Sequence, residues 1–173
     1  MLKQIKRRIH YYFLNKQLHF QKVTRQAVNL TDAKEVGILF DATHTDSSKI
    51  VESFALSLRE QKKRTHMLGF YNIPKSAINF AFPYFNKKSL NWYLEPTGDE
   101  VEIFINRKLD ILINAYIDEN LPLEYISAMS QARFRIGHYM KEKTHAYDFM
   151  IDLKGRNDLK YLMEQYRMYL KMV

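Results

Sequence analysis

Cysteine is absent from the chain. Disulfides, thiolate metal sites and a cysteine nucleophile are therefore excluded, and the composition fits a reducing compartment. Glycine and proline are scarce, at five and four residues of 173. In keeping with that scarcity, neither a GxGxxG dinucleotide fingerprint nor a GxxxxGKS/T phosphate loop is present. No apolar run is long enough to span a bilayer or to form a signal-peptide core. The first 20 residues are basic but contain no serine, unlike a transit peptide, so the N-terminus is expected in the mature protein and the location is expected to be cytoplasmic. The six histidines form no HxxxH pair and no serine sits in a GxSxG elbow. No cofactor and no metal is expected.

Acid is missing from one end. Residues 1–31 hold Lys3, Lys6, Arg7, Arg8, Lys16, Lys22 and Arg25 without a single Asp or Glu. The other 142 residues carry the remaining 20 basic and all 19 acidic side chains, so nearly the whole net charge of +8 lies in the first 31. Such asymmetry points to a polyanionic partner for that end. Leu2, Ile5, Ile9, Tyr12 and Phe13 recur at helical spacing there, with Tyr11, Leu14 and Leu18 as a second apolar row. A helix with two apolar rows packs on something for at least part of its length. Residues 1–30 are read as a basic helical extension and 31–173 as one domain. With 46% apolar residues the chain has enough material for a single core.

Along the rest of the chain, strand-like and helix-like segments alternate. EVGILFD (35–41), THMLGFY (65–71), LDILINA (109–115), ARFRIG (132–137) and YDFMIDL (147–153) are short apolar runs suited to strands covered on both faces. Helical periodicity follows residues 45, 97, 120 and 157. Thr45 or Asp46, a Thr97–Glu100 capping box, Asn120 with Pro122, and Asn157 serve as their expected starts. The aromatic-rich stretch 72–96 reads as an irregular excursion with a short strand near Leu90 to Tyr93, its aromatics being core more readily than pocket. The expected architecture is a three-layer α/β sandwich of about five mostly parallel strands, Rossmann-like, plus the N-terminal basic amphipathic helix.

Two places carry candidate chemistry. Asp41, Thr43, His44, Thr45, Asp46, Ser47 and Ser48 follow the first strand, where open parallel sheets bind ligands beside a helix N-terminus. The same residues also serve simply to turn the chain and cap the helix. If strand order brings them together, Asp118, Glu119, Asn120, His138, Asn91 and Trp92 lie near that face. The second place is the basic helix. Its cations, interleaved with Tyr11, Tyr12 and Phe13, suit RNA or a ribonucleoprotein, which is the leading expectation for function. They also suit an anionic membrane surface, in which the apolar row would lie at the interface, or merely a solvated face.

Asp41-Ala-Thr43-His-Thr45 resembles the first motif of the haloacid dehalogenase-like phosphotransferases, in which an aspartate ending an apolar strand attacks phosphorus. The resemblance spans five residues. It implies an enzyme acting on a phosphorylated ligand, with Asp41 as nucleophile and Thr43 where many members carry the general acid. Asp46 departs from the motif, and Asp152 and Asp158 are too widely spaced for a magnesium pair. Taken together, GILFDAT, FPYFNKKSLNW, DILINA, PLEYISAMSQARFRIGHY and YDFMIDL resemble an uncharacterised bacterial family, a domain of unknown function, from about residue 20 onward. That resemblance implies one complete unit and no particular activity.

Overall fold

The computed structural model describes residues 2–74 and 79–172. Its elements are α1 (Leu2–Leu18), β1 (Glu35–Asp41), α2 (Thr45–Glu60), β2 (Arg64–Tyr71), β3 (Tyr84–Asn86), α3 (Asp99–Asn106), β4 (Ile111–Ala115), α4 (Leu121–Met129), β5 (Phe134–His138), β6 (Phe149–Ile151) and α5 (Leu159–Tyr169), with one 3-10 turn at Lys87–Ser89. The strands form one parallel sheet in the order β3-β2-β1-β4-β5-β6, with helices on both faces. This is the expected three-layer Rossmann-like sandwich, with six strands and all of them parallel.

Continuous apolar runs became the central strands because both of their faces are covered. All five residues of β4 are buried. Ile38, Phe40, Ile111 and Ile113 face α2 and α5, which contribute Val51, Phe54, Leu58, Leu162 and Tyr166. On the opposite face Leu39, Leu68 and Leu112 meet Val101 and Phe104 of α3, Leu123 and Ile126 of α4, and Leu14 of α1. Polar groups around Asn114 are matched. The Asn114 amide donates to the Ser127 hydroxyl and to the Ile136 carbonyl, both at 3.0 Å, while the Tyr166 hydroxyl donates to the Asn114 carbonyl at 2.8 Å. Gly137 is required where it stands, since a Cβ there would come within 2.5 Å of the Tyr147 ring.

The excursion between β2 and β4 departs from expectation. No strand forms at Leu90 to Tyr93; Leu90 makes only an isolated bridge to Pro96, and the added strand is β3. Asn91 turns the chain instead, its side-chain oxygen accepting from the amides of Tyr93 and Glu95 at 3.2 and 2.9 Å. The Thr97 capping box does not form either. Gly98 is the N-cap, at φ 114°, and the Thr97 hydroxyl donates to the Ser89 carbonyl at 3.0 Å. At α5 the cap is Asp158 rather than Asn157. His44, one residue earlier than expected, is the N-cap of α2 and makes no side-chain capping bond.

Candidate functional site

The N-terminal helix lies against the body. Leu14 is fully buried in the α3–α4 layer, and His10 is fully buried beside it. The His10 Nδ1 bonds the Tyr93 carbonyl at 3.0 Å, which places a proton on Nδ1 because a carbonyl only accepts. Its Nε2 is buried without a partner. Burial pushes the imidazole pKa down despite that bond and the nearby Glu124 and Glu95 carboxylates. Further along α1, Gln17 donates to Glu95 at 2.8 Å and Phe13 stacks on Tyr93 with ring centroids 4.6 Å apart.

A buried ionic chain fastens the same helix to α4 and to the β5–β6 loop. Glu124, fully buried on α4, accepts the Tyr11 hydroxyl at 3.0 Å and lies 2.8 Å from His145 Nε2 and 2.7 Å from Lys143 Nζ. Lys143 also meets Glu119 at 3.0 Å, and Glu119 pairs with Arg7 at 3.0 Å. Burial alone would raise the Glu124 pKa, but His145 and Lys143 together hold it below the usual carboxylate range. Burial would lower the Lys143 pKa, yet Glu124 and the Tyr11 hydroxyl keep it above the usual lysine value. Local sequence gives no sign of this network, because its bonded partners are up to 132 residues apart.

Docking divides the seven basic candidates. Arg7 is paired with Glu119, and Arg25 is turned inward, donating to the carbonyls of Ala132 and Ser130. Burial, and then the neighbouring Arg135, push the Arg25 guanidinium down to about 10. Lys3, Lys6, Arg8, Lys16 and Lys22 are exposed, with no ion-pair partner among the described residues. The apolar rows divide as well. The row that docks is Tyr11, Leu14 and Leu18. Of the other row, Leu2 (76%), Ile5 (46%) and Tyr12 (66%) are exposed. Trp92, 61% exposed, sits with its ring 5.2 Å from Tyr93, which stacks on Phe13, and so extends this surface beyond the helix.

The loop after β1 is the other candidate place. Strand order reverses between β1 and β4, and a cleft of about 420 Å³ opens at their carboxyl ends, lined in part by Asp41, His44, Ser47, Asp118 and Asn120. Asp41 accepts the Thr43 amide at 2.9 Å through one oxygen and faces the Asn120 amide at 3.4 Å through the other. The Thr43 hydroxyl accepts the Asn72 amide at 3.0 Å, so it braces the loop. Thr45 and Asp46 are exposed in the first turn of α2, whereas Ser48 is buried with its hydroxyl unpartnered. Asp118, Glu119 and Asn120 reach this cleft from the end of β4, whereas Asn91 and Trp92 are not among its lining and sit beside Tyr93, which stacks on Phe13 of α1. His138 bonds the Ile117 carbonyl at 3.2 Å. Among the described residues no three His, Asp or Glu side chains are grouped to hold a metal, and no helix is long and apolar enough to cross a membrane.

No curated protein and no solved structure matches the chain. A family model does, over residues 6–173, and it begins inside α1, so the match takes in all of the helix but its first four residues. The chain belongs to DUF6913, a family of unknown function.

Proposed function

We propose that the protein is a peripheral membrane-surface protein, binding anionic lipid from the cytoplasmic side through the outer face of α1 and the adjoining Trp92. The observation that carries this reading is which side of α1 docks. His10 and Leu14 are turned into the body, leaving Leu2, Ile5 and Tyr12 in solvent among Lys6, Arg8 and Lys16. Cations alone would serve an RNA backbone equally well. Exposed aliphatic side chains serve neither phosphate nor base, but they are what an interfacial helix inserts beneath the headgroups. Trp92 has the amphipathic ring favoured at that depth.

The test is co-sedimentation with phosphatidylcholine vesicles, with and without phosphatidylserine, alongside a single-stranded RNA competitor. Binding is expected only to the anionic vesicles and is expected to weaken with salt. Each cation near an anionic surface contributes roughly 1 kcal/mol, so Arg8→Gln with Lys16→Gln weakens binding about 30-fold. Ile5→Asp is expected to abolish it with the fold intact. Retention by RNA and not by vesicles assigns the helix to nucleic acid instead.

The cleft supports a second reading. Asp41 and Asn120 meet across the switch point, one as acceptor and one as donor, in the arrangement that orients a small polar ligand. Asp41 and Asp118 give the cleft negative charge, Glu119 being paired with Arg7 and Lys143, and this favours a ligand offering hydrogen-bond donors over a bare phosphate. Turnover of a phosphorylated compound that disappears in Asp41→Asn would restore the phosphotransferase expectation.

A further inference from the structure

Only part of β2 is covered on its outer side. β3 pairs with Gly69–Tyr71, and among the described residues no strand pairs with Arg64–Leu68 on that side. The Gly69 amide donates to the Pro83 carbonyl on that side at 3.0 Å, and backbone groups alternate along a strand, so Thr65 and Met67 turn their N–H and C=O to the open edge. A groove of about 530 Å³ lies there between α2 and α3. Each lip carries the same sequence of chemistry: Glu52, Leu56 and Arg59 on α2, then Glu100, Ile103 and Arg107 at α3. Leu56 is 56% and Ile103 55% exposed. Among the described residues the four charged groups form no ion pair, and Arg59 only donates to the Thr65 hydroxyl.

We propose that this edge is where two copies of the chain join, β2 against β2, about a two-fold axis passing through the sheet. Both lip helices connect parallel strands and so run opposite to β2. Under that two-fold, α2 lies antiparallel to α2 of the second copy, and α3 to its α3. The seven-residue spacing then brings Glu52 against Arg59 and Glu100 against Arg107, twice each, with Leu56 and Ile103 meeting their own counterparts near the axis. Strands about 4.8 Å apart place the two α2 helices, each seated over β1 and β2, roughly 10 Å apart, which is ordinary helix-packing distance. An unrelated extended peptide could use the free backbone groups of the edge, but it gives no reason for both lips to repeat glutamate, aliphatic, arginine. A second copy does, and it removes the aggregation hazard of an open edge. The proposal is independent of lipid binding, although such a dimer would carry both α1 helices on one side.

Sedimentation velocity on the full chain, without lipid, tests it. The expected species has twice the 20.8 kDa chain mass. Glu52→Arg or Arg59→Glu alone is expected to raise the dimer dissociation constant at least tenfold, by placing like charges opposite one another. The combined Glu52→Arg/Arg59→Glu chain restores two attractive pairs and is expected to dimerise again. Ile103→Lys on the other lip gives an independent disruption should either α2 variant fold poorly, with circular dichroism as the check. A chain that stays monomeric at every concentration, a dimer indifferent to the single reversals, or a combined variant that remains monomeric would overturn the proposal.

Discussion

His10 is the residue whose environment departs furthest from what its neighbours in sequence suggest. It stands beside Arg7 and Arg8 in a helix of exposed cations, yet it is fully buried with one nitrogen unpartnered. Its lowered pKa means that the unfolded chain takes up a proton before the folded one does. Stability from this group is therefore present above about 6.5, the unfolded value, and is lost as pH falls through the folded pKa. The Tyr93 carbonyl and the Glu124 and Glu95 carboxylates temper the shift without reversing it, and the Lys143 ammonium adds to it. Chemical denaturation from pH 7 to pH 5 should show declining stability, and His10→Gln should flatten that decline. An unchanged slope in the variant would place the effect elsewhere. Glu124 acts at lower pH: its depressed pKa gives stability above the unfolded carboxylate value that is lost as pH falls through the folded one. Lys143→Met leaves Glu124 buried with fewer partners, and a loss of about 3 kcal/mol is expected. Adding Glu124→Gln should recover much of that loss in a urea titration, since a missing charge costs less than an unpaired one.

At the scale of elements, the strands were legible and the docking face of α1 was not. EVGILFD and LDILINA announce strands because a sheet covered on both faces needs little alternation, and the positions agree to within two residues. The N-terminal helix presents two apolar rows with nothing local to choose between them. The choice is made by Glu95, Tyr93 and Glu124, which lie 78 to 113 residues away. These partners select the face bearing His10, Tyr11, Leu14 and Gln17 and leave the more regular apolar row outside. The cleft was half legible. Asp41 and its loop were placed by the rule that ligands sit at carboxyl ends of strands, but its partner Asn120 depends on β4 lying beside β1. Caps were read less well, since Thr97 found the Ser89 carbonyl and left Gly98 to start α3. Leu14→Ala tests the docking, with a loss of roughly 3 kcal/mol expected from the transfer and cavity terms together. Faster hydrogen exchange across α1 than across α4 should accompany it; a loss well under 1 kcal/mol would mean that the helix contributes little to the fold.

Across the whole molecule, the charge asymmetry seen in the sequence becomes spatial. Residues 2–31, free of acid, do not form a loose tail: α1 lies over the α3–α4 face, and the segment after it returns to the other face through Val28 and Leu30. Lys3, Lys6, Arg8, Lys16 and Lys22 have no ion-pair partner among the described residues, and Leu2, Ile5, Tyr12 and Trp92 are exposed on or beside α1. Trp92 is the only tryptophan in the chain, so its emission reports on this surface alone. Titrating the protein with phosphatidylserine-containing vesicles while recording that emission is the most direct test of the account. A blue shift that saturates with anionic vesicles, is absent with neutral ones and is lost in Ile5→Asp is the predicted result. An emission maximum that stays at its solvent-exposed position while RNA quenches it would contradict the account and give the surface to nucleic acid.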